Sequence, residues 1–580
     1  MTELQGRAWG FSVIVLVAAI MIFACPGAGM AAEEHPLLAV MRGELSLSME
    51  KLEAPPDGVK PYFLQYTVTD MQSLGVSASL GAVTSEDDDH RRLLEVDLRV
   101  GDYALDSTRQ IRGSYGGSYS WGGGTAALPL DGDPVATKQA IWLETDQRFK
   151  DAVKRLAQVK ANLKVKVEEE DASDDFSREE PSVYVGEWVE FVHPGKEATG
   201  LVRRLSRKFR AYPLIYSSGV TLSGDVTNRL IVSSEGSNLQ HGQGRWRVGI
   251  YASSVAEDGM ELWQYTSFDA HFYDALPDEE TMAAGVDKVI AEVMALREAP
   301  IVEPYTGPAI LVNRASGVFF HEIFGHRIEG HRQKDVDEGQ TFAQKLGEQI
   351  LPEFLSVIDD PTQRTFGDEE LNGYYRFDEE CVPAQRAALV ENGVLKRFLM
   401  SRTPARGITK SNGHGRRQPG TRVVSRMGNT IIESSKQLSI ERLREMLIAE
   451  CKRQDKEFGL LFADISGGFT MTRRWMPQAF KVMPILVYRV YVDGRPDELV
   501  RGVDIVGTPL TCFSMIMATG DDPGVFNGMC GAESGAVPVS AVSPSILVEK
   551  IEVEKKQKAQ DRPPILEAPI ASEAEGKDEA

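Results

Sequence analysis

Five cysteines in 580 residues are too few for a disulfide scaffold, so each calls for its own account. No apolar run exceeds about 16 residues, short of the roughly 20 that a spanning helix needs, which argues against a polytopic membrane protein. Basic residues are outnumbered, 64 Lys and Arg against 85 Asp and Glu, giving a net charge of −21. That balance excludes broad nucleic-acid binding, which needs a basic face. There is no internal repeat of solenoid period, and the glycine-rich run 112–125 lacks the Lys-Ser/Thr of a phosphate loop and reads as a flexible hairpin or loop. What remains is an ordinary apolar fraction, 42%, in a chain long enough for more than one core.

The apolar run Trp9 to Ala24 follows Arg7 and precedes Pro26 and a small-residue stretch. It has the form of a secretory signal, expected to span residues 1–32 and to be cleaved near Ala31 or Ala32. The mature protein is then periplasmic or secreted, with no stable membrane span. The alternatives are a membrane anchor formed by the uncleaved signal or by lipidation at Cys25.

Hydrophobic periodicity predicts an α+β protein. Residues 33–300 form an N-terminal domain of helices on a mainly antiparallel sheet. Alternation runs through 61–106 and 213–272, and helical stripes through 33–52, 141–163, 199–210 and 278–297. Pro300 and Pro304 close that domain. Residues 301–553 form a β-rich C-terminal domain carrying the chemistry, and 554–580 a disordered tail. Between Glu168 and Glu180 lie eight acids and one Arg, a third of the charge surplus in 13 residues. With no EF-hand spacing or central glycine, this reads as a solvated loop rather than a calcium site.

The informative stretch is Phe319 to Arg332, FFHEIFGHRIEGHR, which holds three of the nine histidines within 11 residues. Imidazoles and carboxylates grouped this tightly suit a transition metal. His321 and His326 are five apart, however, and on a regular helix they would point about 140° away from each other. Both reach one metal only if the helix widens locally or ends between them, and Gly325 makes such a distortion cheap. From spacing alone the competing reading, two histidines capping or packing a helix end, stays open. So does His331 as a third ligand, at the cost of a second distortion.

The segment resembles the signature of the TldD/PmbA metallopeptidases, His-Glu-x-x-x-His followed by x-x-Glu-Gly, carried here by His321, Glu322, His326, Glu329 and Gly330. GHGRR (413–417), SRMGNT (425–430), DISGG (464–468) and VRGVDIVGTPL (500–510) resemble further family blocks in order. The resemblance is strong over about 304–554 and only in outline before it. It implies a third metal ligand at Cys530, in FNGMCGAESGAVPVS, so that His321, His326 and Cys530 hold one catalytic zinc ion. Glu322 is the implied general base. Where the family commonly has Lys and Gln soon after the cysteine, this chain has Ala532-Glu533-Ser534-Gly535-Ala536. That departure leaves the metal set intact and bears on local substrate contacts.

Glu329 either orients an imidazole or pairs locally. His414 is a candidate to approach substrate, against the reading of a solvated loop histidine, and Arg416, Arg417 and Arg426 are candidates to hold a peptide carboxylate, against ordinary surface salt bridges. All four are alternatively candidates to support the metal ligands from behind. The resemblance further implies a homodimer, or a heterodimer with a metal-free paralogue, and a peptide substrate bound in extended form. The implied activity is a zinc peptidase of unfolded or short peptides. Its rival is a metal-stabilised peptide-binding or assembly protein that cleaves nothing. Cys381, Cys451 and Cys512 read as packing residues, with a disulfide among them left open.

Overall fold

The alternation from residue 61 onward folds as one long antiparallel hairpin, Pro61–Ser79 against Ala82–Val100. It reverses through Leu80 and Gly81, both at positive φ, the two-residue turn whose twist matches the strands. A second hairpin, Ser217–Ser233 and Asn238–Val255, pairs antiparallel beside it, and Glu261–Ala270 follows. Two short pieces, Ala126–Ala127 and Val183–Val185, complete a seven-stranded sheet in which only the latter runs parallel to its neighbour. The computed structural model describes residues 32–56, 58–111, 123–164, 171–335, 337–339, 341–474, 479–507, 509–556 and 563–570. The expected signal segment with Cys25, most of the glycine-rich run, the start of the acidic run and parts of the tail lie outside these.

Side chains alternate across a strand, so Leu64, Tyr66, Val68, Leu74 and Val76 share one face. Helices Pro36–Lys51 and Pro134–Leu163 pack over its first half, and Lys196–Arg207 and Glu279–Glu298 over its second. The 134–163 helix starts earlier than its apolar stripe implies, because Asp133 caps the N–H groups of Val135 and Ala136 with Pro134 in the first turn. The opposite face is polar yet buried. Gln65 Nε2 donates to the Glu379 carbonyl and Glu95 accepts from the Gly420 N–H, so the second half of the chain covers it.

In that half, Tyr305–Leu311, Phe458–Thr470, Phe480–Tyr491, Val503–Gly507 and Ile546–Lys555 pair in turn, and the last returns to the first, closing a ring. A six-stranded sheet stands beside it and ends in Gly535–Ser543 and then Gly524–Ala532, so the strand that carries Cys530 is an edge. Helix Asn313–Ile323 is wedged between ring and sheet. Phe319 and Phe320 pack on Phe480 and Phe513, and Gly317 lies close against Ala541, where a Cβ would come within 3.2 Å of its carbonyl oxygen.

The described part of the acidic run, 171–180, is not the solvated loop expected. Asp175 accepts from Arg109 Nε at 2.9 Å and from the Asp106 N–H. Phe176 is buried beneath the guanidinium groups of Arg99 and Arg402, 3.6 and 3.9 Å from its ring centre. The acids meet arginines far away in sequence, and the segment becomes a strap between the two halves. None of Cys381, Cys451, Cys512 and Cys530 forms a disulfide. Among the described residues no helix is long and apolar enough to cross a membrane.

Candidate metal centre

Helix Asn313–Ile323 presents His321 on its last turn and ends two residues later, and His326 sits in the single 3-10 turn Gly325–Arg327 that follows. Of the two ways to bring a five-residue step onto one metal, the chain takes the helix end. Gly325 has no positive φ. It is needed for space, since a Cβ there would lie 2.0 Å from Met427 Sδ.

His321 Nε2 lies 3.2 Å from Cys530 Sγ, and His326 Nε2 lies 3.3 Å from the same sulfur. All three residues are buried, and their ligand atoms fall within 4.8 Å of one another. Tetrahedral zinc with ordinary Zn–N and Zn–S bonds sets nitrogen and sulfur about 3.5 Å apart, so the donor set fits the ion in chemistry and spacing. Burial alone would raise the Cys530 thiol, but the charges of His326 and His321 hold it well below its usual value. A buried thiolate of this kind is a ready metal ligand.

Glu322 faces the same cleft, a space of about 600 Å³. Burial raises its carboxyl above the ordinary range, against the pull of His321 and His326. Gly468 leaves room for it, for a Cβ there would sit 2.7 Å from Glu322 Cγ.

Glu329 both orients and pairs. It is fully buried, 3.4 Å from His326 Nδ1, 2.8 Å from Arg332 Nε and 3.4 Å from Arg426 Nε. Burial opposes its charge, yet Arg332, His326 and Arg426 bring its carboxyl down to about 2. A carboxylate behind a ligand imidazole fixes the ring and its tautomer. His331 is buried against Glu533, which also binds Arg332 at 2.8 Å. Glu533 lay in the run where the chain departs from its family, and that departure was the only sequence signal for it.

None of the other four candidates lines this cleft. His414 is wholly buried, between the Asn412 carbonyl at 2.9 Å and Asp359 at 3.2 Å, away from the residues that line the cleft. Arg426 is also fully buried. It donates to the Cys530 carbonyl at 2.6 Å and to Ser534 Oγ at 2.8 Å, tying the cysteine strand to Glu329 instead of meeting a peptide. Arg416 and Arg417 border a different cavity, on the far side of the cysteine hairpin.

The family model for the PmbA/TldA metallopeptidase C-terminal domain matches residues 304–555. A metalloprotease of Methanocaldococcus jannaschii is 30% identical over 337 residues, 56% of this chain and 67% of its own. A metalloprotease of Methanothermobacter thermautotrophicus is 27% identical over 340 residues, 58% and 69% of the two chains. The zinc metalloprotease TldD homolog of Saccharolobus solfataricus is 26% identical over 251 residues, 42% and 51%. Among solved structures, TldE of Thermococcus kodakarensis has a TM-score of 0.57 at 16% identity, covering 89% of this chain and 100% of that one, which marks a shared fold. With 30% identity across two thirds of a relative and the signature residues gathered at one buried centre, the chain belongs to the TldD/PmbA metallopeptidase family.

Proposed function

We propose that this chain is a zinc-dependent peptidase of unfolded or short peptides, with His321, His326 and Cys530 as ligands of one catalytic ion. The observation that carries the reading is the pairing of a three-donor cluster with a fourth, buried carboxyl on the same cleft, Glu322. A purely structural site, as in a metal-stabilised binding protein, has no use for that costly buried acid.

Zinc, when bound, supplies a Lewis acid that polarises a carbonyl and makes water a nucleophile near neutral pH. Glu322 takes the proton of the attacking water on a carboxylate oxygen and returns it to the leaving amine. Its burial keeps the proton affinity high enough for both transfers. Glu329 holds the far nitrogen of His326, and Arg426 holds the backbone of Cys530, so the donors do not drift.

The cleft walls favour an extended substrate. One is the edge strand around Cys530; the other is residues 466–470, beyond the point where strand Phe458–Thr470 pairs with Tyr305–Leu311. Backbone groups along such edges are partners for an added strand. We place the activity outside the cytoplasm after removal of residues 1–32, in a homodimer or a pair with a metal-free paralogue. N-terminal sequencing and the mass of the native particle test these.

The decisive experiment measures zinc content and cleavage of an unstructured peptide for wild type, Glu322→Gln and Cys530→Ala. Glu322→Gln should keep zinc and lose turnover, and Cys530→Ala should lose both. Full activity in Glu322→Gln refutes the peptidase reading, and full zinc occupancy in Cys530→Ala refutes the ligand set.

A further inference from the structure

A second cavity, about 310 Å³, lies between the helix-free face of the N-terminal sheet and the hairpin that carries Cys530. Its lining is out of electrostatic balance. Five guanidinium groups border it, against the carboxyls of Asp378 and Glu379. Arg91 pairs with Asp89 and is half-exposed, while Arg245 pairs with Asp225 at 2.9 Å.

The remaining three are under-satisfied. Arg416 is buried, donates to the Met427 carbonyl at 2.5 Å and covers the Tyr375 ring, but has no ion-pair partner among the described residues. Arg417 reaches Glu95 only at 3.4 Å and donates from Nη1 to the Thr421 carbonyl at 3.3 Å, but its buried Nε–H has no acceptor among the described residues. Arg229 pairs with Glu379 at 3.0 Å, and its buried Nε–H also lacks one.

A buried donor without an acceptor costs about 1–3 kcal/mol, and a buried charge without a partner costs more. Three such groups around one cavity mark an absent acceptor. Guanidinium forks bind carboxylate and phosphate with paired N–H···O bonds, so the missing ligand is an oxyanion.

We propose that this cavity binds a small oxyanion group, supplied either by the C-terminal carboxylate of a peptide or by free phosphate. The site is separate from the metal centre. Met529 lines both spaces, and Met529 and Cys530 are successive residues of one strand, whose side chains point to opposite faces.

The test is a thermal-shift and calorimetric titration of the full chain with inorganic phosphate, with a tetrapeptide bearing a free C-terminal carboxylate, and with the same peptide amidated. Glu322→Gln protein is used so that no peptide is consumed. Gln243 stands on the same strand as Arg245 and also lines the cavity, so Gln243→Glu places a carboxylate where the ligand would sit without deleting an arginine. Arg416→Gln serves as the second variant, and circular dichroism verifies that both fold. Cys530→Ala controls for phosphate bound at the metal.

Saturable binding of phosphate, of the free-carboxylate peptide or of both supports the proposal and identifies the source. It should persist in Cys530→Ala and weaken at least about tenfold in Gln243→Glu and Arg416→Gln. Equal binding of the acid and amide peptides with none of phosphate overturns it, as does binding that both cavity variants leave unchanged.

Discussion

Glu329→Gln is the most informative single change, because it keeps the side chain's shape and removes only the charge. In the folded chain this carboxyl is held at about 2 instead of 4.5. At about 1.4 kcal/mol per pH unit, its charged form is favoured over a neutral one by about 3 kcal/mol. Glutamine resembles the neutral form, so stability should fall by roughly that amount, within the 3–5 kcal/mol typical of breaking a buried ion pair. Arg332 retains Glu533 at 2.8 Å and Glu338 at 3.2 Å, which keeps the loss toward the lower end.

The same substitution weakens the hold on His326, and losing the carboxylate behind a ligand imidazole typically lowers metal affinity about 10–100-fold. Urea denaturation of the zinc-free protein and competition of the zinc-loaded protein with a chromophoric chelator read the two effects separately. An unchanged urea midpoint would show that Arg332 and Arg426 do not depend on Glu329. Unchanged zinc release, in a variant that is destabilised, would show that His326 is oriented by something else.

The other predictions are more local. Gly468→Ala puts a Cβ 2.7 Å from Glu322 Cγ and 2.8 Å from the Lys481 carbonyl, so kcat/KM should drop about 10–100-fold with zinc retained; parallel loss of zinc would mean that the strand has moved as a whole. His241 is held neutral, its pKa brought from 6.5 to about 3 by burial and then by Arg229 and Arg376. The unfolded chain therefore takes up the extra proton between those values, and stability is full above about pH 6.5 and lost as pH falls toward 3. The loss is about 2 kcal/mol by pH 5. Urea midpoints at pH 7.5 and 5 should show it in wild type and not in His241→Gln, and an equal slope in both would refute the assignment.

The helices, the hairpins and the clustered histidines were legible in the sequence because each depends on local rules, periodicity, capping and a motif of fixed spacing, whereas Cys530 was implied only by the family resemblance. Even the awkward five-residue step from His321 to His326 announced that the helix must change there, and it ends at Ile323. What was not legible depended on partners tens to hundreds of positions away. Glu95 and Arg417 are 322 residues apart, and Asp359 and His414 are 55 apart. No spacing rule shows that GHGRR turns inward, that Arg426 clasps the Cys530 backbone, or that Phe176 of the acidic strap is buried beneath Arg99 and Arg402. The glycine before His326 was singled out for backbone freedom, whereas the structure gives it no positive φ and sets it close against Met427.

The long-range partners also explain why the N-terminal sheet belongs to the chemistry. Arg247, Trp263 and Tyr265 from that sheet line the metal cleft, opposite His321 and Cys530. Arg247 is fixed by Asp269 at 2.6 Å and donates to the Asn527 carbonyl at 3.1 Å, three residues before the cysteine on an edge strand. Asn372 donates from Nδ2 to the same Asp269 at 3.2 Å and from its backbone N–H to Asn527 Oδ1 at 3.1 Å, closing a circuit of polar contacts around that strand. An edge strand has neighbours on one side only, and its freedom would blur the sulfur's position by more than a metal site tolerates. The N-terminal half supplies the second side. The two halves therefore form one site: one contributes the donors, and the other holds still the strand on which the thiolate stands.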